Sequence, residues 1–124
     1  MRIDHTILAV NDLEASLRFY LDVLGFSDDG DRPPFRQVRV DDDFVLLLAP
    51  FPTEGGVHLA FATEEAEFEK VFARIRSAEL PYGDVFDGVG NMKAPGGAEG
   101  ARGETRSLYC LDPSGHLIEL AYYA

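Results

Sequence analysis

Cysteine is nearly absent from this chain. Cys110 is the only one in 124 residues, so neither an intrachain disulfide nor a cysteine-based zinc site can form, which fits a reducing compartment. Basic residues are also scarce, 11 against 22 acids for a net charge of −11. That balance argues against a nucleic-acid surface, which needs clustered Lys and Arg. It serves solubility, and it would also favour a cationic ligand. No apolar run approaches transmembrane length, so no membrane partner is expected. The opening residues, MRIDHTILAV, enter a strand-like pattern with no signal-peptide layout, and a cytoplasmic location is the expectation.

What remains is the composition of an ordinary soluble domain, 46% hydrophobic and 27% charged. A chain of this size is one domain and can bury roughly two-thirds of its unfolded surface without staples. Ile3 to Val10 reads as a strand. Asn11-Asp12 then offers N-cap residues to an amphipathic helix carrying Leu13, Leu17, Leu21 and Leu24 on one stripe, which Gly25 stops. Asp28 to Pro34 reads as a polar loop, followed by a hairpin of Phe35 to Val40 and Phe44 to Ala49 across three aspartates.

The pattern restarts at Gly55. A strand runs to Ala62, Thr63 is the expected N-cap, and a helix turns Phe68, Val71, Phe72 and Ile75 inward, with Arg74 and Arg76 in its last turn. A short strand near Tyr82 to Phe86 follows. A loop with six glycines, Gly88 to Gly103, is then expected to act as a lid. The chain therefore divides into module one, about residues 1–52, and module two, about 55–124, within a single domain. This degenerate repeat, with two helices and about eight strands, predicts an α+β architecture of paired modules.

The stretch LYCLDPSGHLIE, Leu108 to Glu119, is a strand, a tight turn and a second strand. Pro113 presets φ and Gly115 can take φ > 0. Glu119 sits inside the apolar second strand, and a carboxylate buried there needs a partner. Three histidines are available. His5 and His58 lie at equivalent places in the first strand of each module, whereas His116 follows the turn and reads as a turn-edge or capping residue. Two-residue periodicity sets His5 on a face with Ile3, Ile7 and Ala9, His58 with Gly56, Ala60 and Ala62, and Glu119 with Leu117, Ala121 and Tyr123. Two imidazoles and a carboxylate form a recognised metal set that leaves positions open for water and substrate.

Three stretches, DHTILAVNDLEASLRFYLDVLGF at 4–26, VHLAFAT at 57–63 and LYCLDPSGHLIEL at 108–120, resemble the vicinal oxygen chelate superfamily. That superfamily groups glyoxalase I, bleomycin-resistance proteins, fosfomycin-resistance enzymes and extradiol dioxygenases. The resemblance implies two βαβββ modules whose mixed sheets curl into a cup, a divalent ion (Fe2+, Mn2+, Ni2+ or Zn2+) on His5, His58 and Glu119, and a homodimer. The three side chains are then expected to converge on one ion-sized point.

The departures narrow this. Glyoxalase I takes a fourth ligand from the last strand of module one, where Phe44 to Leu48 is wholly apolar, so a true glyoxalase I is not implied. Fosfomycin-resistance enzymes have a threonine where this chain has Ile7, and a basic tail beyond the glutamate. The extradiol signature matches at Leu108-Tyr109, Asp112-Pro113, Gly115 and Glu119, but the histidine it wants ahead of the tyrosine is missing from Gly100 to Arg102. The implied function is a metal-dependent enzyme, dioxygenase-like or lyase/transferase-like, acting on a small oxygen-chelating substrate. In it, Tyr109 and Glu119 are catalytic and Lys93, Arg102 or Arg106 meet substrate charge. The alternative is a non-catalytic drug-binding protein of the bleomycin-resistance type.

Overall fold

The computed structural model describes all residues, 1–124. Module one runs β1 (His5–Ala9), α1 (Leu13–Arg18), β2 (Ser27–Arg32), β3 (Phe35–Arg39) and β4 (Val45–Ala49). Its sheet has the order β1-β4-β3-β2, with β1 parallel to β4 and the rest antiparallel. Module two runs β5 (His58–Ala62), α2 (Glu65–Ser77), β6 (Tyr82–Gly83), β7 (Gly96–Gly100), β8 (Gly103–Leu111) and β9 (Leu117–Tyr123). Here the order is β5-β9-β8-β6, with β7 also on β8 and β5 parallel to β9. The α+β class and the paired modules are as expected. The sheets, however, are two separate open sheets rather than one curled cup, and β1 and β5 are each left with one unpaired edge.

Local chemistry explains the elements. Asp12 caps α1 by accepting from the Ala15 N–H at 3.0 Å, and the helix then widens into a π turn over Phe19–Val23 that ends at Gly25, whose φ of 85° only glycine tolerates easily. Arg74 was expected to serve the end of its own helix; it reaches across instead and donates to the Val23 carbonyl at 2.7 Å, so a cation of α2 caps the C-terminal end of α1. Thr63 is not the N-cap of α2. Its N–H is still engaged with the Ala121 carbonyl at 2.8 Å, and Glu64 occupies the cap without a side-chain bond.

Two expected loops contain strands. Ser27–Arg32 forms β2 because its carboxylates are paired across the sheet, Asp28 and Asp31 with Arg36 and Asp29 with Arg39, at 2.8–3.0 Å. Both faces of β2 are exposed, so no apolar alternation announces it. In the glycine-rich segment, residues 96–100 pair with β8 as the hairpin strand β7, so the lid expectation fails for that half. The short strand expected to reach Phe86 stops at Gly83.

One core serves both modules. Leu8, Val10, Tyr20, Val38, Leu46 and Leu48 of module one and Phe68, Val71, Ile75, Leu108, Ile118 and Leu120 of module two are all essentially inaccessible and belong to one cluster. Each such side chain contributes roughly 1.5–3 kcal/mol on burial. The Asp-Pro-Ser-Gly turn is built into this junction. Asp112 accepts from the Tyr20 hydroxyl at 2.7 Å and from the N–H groups of Ser114 and His116 at 2.9 and 2.8 Å. His116 is not a turn-edge residue but a buried strut. Its Nδ1 accepts from the Val57 N–H at 3.2 Å, which leaves Nε2–H to donate to the Ala9 carbonyl at 2.8 Å. Gly115 takes φ of 88°, and Gly55 lies so near its carbonyl that an added Cβ would sit 2.5 Å from that oxygen.

Tyr20→Phe should cost about 1.5–3 kcal/mol, the range for a hydrogen bond to a charged group, and Asp112→Ala more, because it orphans three donors at once. Urea denaturation followed by circular dichroism checks the order. Equal and negligible losses would mean that the turn does not carry the junction.

Candidate metal and substrate site

β5 and β9 run parallel with Ala60 opposite Glu119, so the alternation that buries Ile118 and Leu120 against the helix turns Glu119 to the open face of the sheet. His58 stands beside it. Its Nε2 is 2.9 Å from Glu119 Oε1, with the imidazole nearly half exposed and the carboxylate largely covered. Ala60 and Ala62, also exposed on that strand, leave the face open. The other carboxylate oxygen, Oε2, accepts from the Ser107 hydroxyl at 2.9 Å, and Ser107 Oγ is in turn 2.9 Å from Thr105 Oγ1. Tyr109 is the cross-strand partner of Glu119, with its ring centroid 6.2 Å from that of His58. Burial, and after it the negative charge of Glu119, pushes the Tyr109 phenol above its ordinary value, so it is a hydrogen-bond donor throughout the neutral range.

His5 is elsewhere. It lies on the outward face of the first sheet, exposed, with Nδ1 2.8 Å from Asp4 Oδ2, in a hollow also lined by Arg2, Arg39, Val45 and Leu47. No three His, Cys, Asp or Glu residues of one chain come together around an ion-sized point. The expectation that His5, His58 and Glu119 converge is therefore corrected for a single chain: His58 and Glu119 meet, while His5 belongs to the other sheet. The physical reason is the shared core, which both modules face from inside, so that their ligand-bearing faces point outward and apart. The donor chemistry still suits a divalent ion. One imidazole nitrogen and one carboxylate oxygen converge on an accessible face, and a second imidazole sits on the free edge strand of the other sheet.

The expected substrate cations are also displaced. Arg106 lies on the face of β8 opposite to Ser107 and Tyr109, opposite Tyr122 of β9. Arg102 stacks on the Tyr123 ring at 4.3 Å, and with Arg106 it lines a hollow of about 1030 Å³ at the start of α2, away from His58 and Glu119. Lys93 is exposed ahead of β7, its backbone N–H held by Asn91 Oδ1 at 2.9 Å. None of the three forms a hydrogen bond or ion pair with His58 or Glu119. Ser107 and Thr105 escaped sequence reasoning, although a signal was present: once Tyr109 is set opposite Glu119 across the turn, residues 107 and 105 share its face.

Residues 2–120 match the Glyoxalase/Bleomycin resistance protein/Dioxygenase superfamily. The chain belongs to that superfamily. It is 34% identical to virulence protein STM3117 of Salmonella typhimurium over 98% of this chain and 84% of that one. The crystal structure of that protein superposes with a TM-score of 0.78, at 30% identity over 100% of this chain and 98% of that one. The oxidase ChaP-H2 gives a TM-score of 0.81, also at 30% identity, over 100% and 94%. TnmS3, an antibiotic-binding protein of a Streptomyces species, shares the fold at 22% identity, with a TM-score of 0.75 over 100% and 97%. The fold is thus shared with a protein described as an oxidase and with one described as antibiotic-binding.

The raised pKa of Tyr109 has a measurable consequence. The unfolded state releases this proton first, so the stability linked to it is complete below pH about 10 and is lost as pH rises through the folded value. In a spectrophotometric titration, the phenolate absorbance missing from Tyr109→Phe relative to the parent should develop only above pH about 10. Development at or below that pH would place Tyr109 in contact with water rather than with Glu119.

Proposed function

We propose that this protein is a metal-dependent vicinal oxygen chelate enzyme, acting oxidatively on a small substrate that presents two adjacent oxygens. The observation that carries this reading is the His58–Glu119 pair, an imidazole nitrogen and a carboxylate oxygen 2.9 Å apart on an open sheet face, with a protonated phenol next to it. Bound there, a divalent ion would act as a Lewis acid on the substrate's adjacent oxygens. In this reading Glu119 contributes the hard anionic oxygen and His58 the neutral nitrogen. The Tyr109 hydroxyl donates to the oxygen on which negative charge develops, and it can deliver a proton there. Ala60 and Ala62 leave room for the substrate body beside the pair.

The third ligand in this proposal is His5 of the partner subunit. β1 and β5 are both free-edged strands, and each carries one of the two histidines. Ile3 ahead of β1 and Ile7 on it are 70% and 53% exposed, and Val57 ahead of β5 is partly exposed, an apolar margin that association would cover. A symmetric homodimer with β1 of one copy beside β5 of the other would cover these edges and form a cup from one sheet of each chain. It would also bring the Arg39 and Leu47 side of the first sheet to the substrate. The 30% identity to an oxidase supports redox chemistry over isomerisation, as does the apolar β4, which provides no fourth ligand.

One observation favours the other reading, a binding protein without catalysis. His58 and Glu119 already satisfy each other through a 2.9 Å hydrogen bond and need no metal to do so. Isothermal titration of chelator-treated protein with Fe2+, Mn2+, Ni2+ and Zn2+, alongside sedimentation analysis, separates the two. The enzyme reading expects one ion per chain, loss of at least tenfold in affinity in both Glu119→Ala and His5→Ala, and a dimer at micromolar concentration. In side-by-side assays with each metal, methylglyoxal hemithioacetal should not be isomerised, and simple catechols should be cleaved slowly or not at all. Absence of ion binding, or a monomer whose binding ignores His5, would transfer the protein to the binding class.

A further inference from the structure

Glu119 is gripped from both sides, and the two grips differ. Oε1 faces the open side at His58, whereas Oε2 is held by Ser107, a residue with no solvent exposure that is backed by Thr105 at 3% exposure. An ionised carboxylate only accepts, so the single hydrogen of the Ser107 hydroxyl is committed to Oε2. The 2.9 Å contact between Ser107 and Thr105 must then be made by the Thr105 hydrogen. The chain Thr105 → Ser107 → Glu119 is therefore directional, and burial keeps water from substituting for either hydroxyl. Without it, the terminal torsion of a glutamate is broad and nearly two-fold, and on β8 only the Tyr109 phenol, the cross-strand partner of Glu119, would remain to bias which oxygen meets His58.

We propose that Ser107, polarised by Thr105, is a positioning residue that restricts Glu119 to a single outward oxygen and thereby sets the strength of ion binding at this site. The inference rests on the metal-site reading above and deepens it. Retiring Oε2 leaves one donor position for the carboxylate and keeps the remaining positions for substrate. Partners that orient a ligating carboxylate in this way typically change metal affinity by about 10–100-fold when removed.

The test uses the full chain, stripped with chelator and titrated with Co2+, whose visible absorption reports on the ligand set. Affinity and spectrum are read together, with circular dichroism and urea denaturation confirming the fold. Ser107→Ala should bind Co2+ about 10–100-fold more weakly and shift the visible bands. Thr105→Val, which keeps the shape but removes the hydroxyl, should weaken binding by a smaller factor. Cys110→Ala, a truncation at a buried position on the opposite face of the same strand, should leave both affinity and spectrum unchanged. Should Ser107→Ala fail to fold, Thr105→Val decides alone. Parental affinity and spectrum in the hydroxyl variants would overturn the proposal, as would an equal loss in Cys110→Ala, which would make the effect one of general packing. If the parent protein itself binds no Co2+, the metal-site reading falls and takes this inference with it, a result distinct from normal binding in Ser107→Ala.

Discussion

The anchoring of the turn after β8 to module one determines what this chain can and cannot do alone. Asp112 takes the Tyr20 hydroxyl, the Asn11 N–H donates to Ser114 Oγ at 3.0 Å, and His116 spans from Val57 to the Ala9 carbonyl. These bonds join the start of β9 to the end of β1 and the segment leading into β5. A buried carboxylate with three donors is costly to dislodge, because each donor would be left without water. With the modules locked through this junction, their helices and inner faces make one core and their outer faces diverge. The separation of His5 from His58 follows from the same lock that stabilises the domain.

That separation gives the free edges their significance. A five-residue strand with an unpaired side, an exposed histidine and an exposed isoleucine would be a liability in a monomer. The first sheet presents His5 amid Arg2, Arg39 and Leu47, and the second presents His58, Glu119 and Tyr109, so neither face alone has both a complete ligand set and a substrate lining. In the proposed homodimer each copy would supply the half that the other lacks.

Much of this was legible in the sequence, and what was not has identifiable causes. The helix of module two and its inward residues followed from periodicity, and the face assignments of His58 and Glu119 followed from alternation, because one side of each element is buried against a core. β2 was hidden because both of its faces are wet and its pairing is ionic. β7 was hidden because glycines carry no pattern. The fate of Thr63 and Arg74 depended on tertiary partners, the Ala121 carbonyl and the Val23 carbonyl, that local capping rules do not see. Sequence also set His5 and His58 at equivalent places in the first strands of the two modules, yet it could not say that the two modules turn the faces carrying them away from each other.

The same alternation bears on specificity. Along β8 it assigns Thr105, Ser107 and Tyr109 to the carboxylate face and Arg106, Leu108 and Cys110 to the other, where burial pushes the Cys110 thiol up to about 12 and leaves it inert. Arg106 is thereby turned away from Glu119, whose neighbours on its own face are two hydroxyls, a phenol and one imidazole. Arginines do flank His5 on the first sheet, and of these Arg39 is already engaged, paired with Asp29 at 3.0 Å and donating to the Asp41 and Asp42 carbonyls. A substrate drawn to such a site would be held chiefly by its chelating oxygens and its apolar body, with charge recognition secondary. In a protein of net charge −11 this also limits electrostatic repulsion by the surface, because a neutral or weakly acidic ligand loses less on approach than a strongly anionic one.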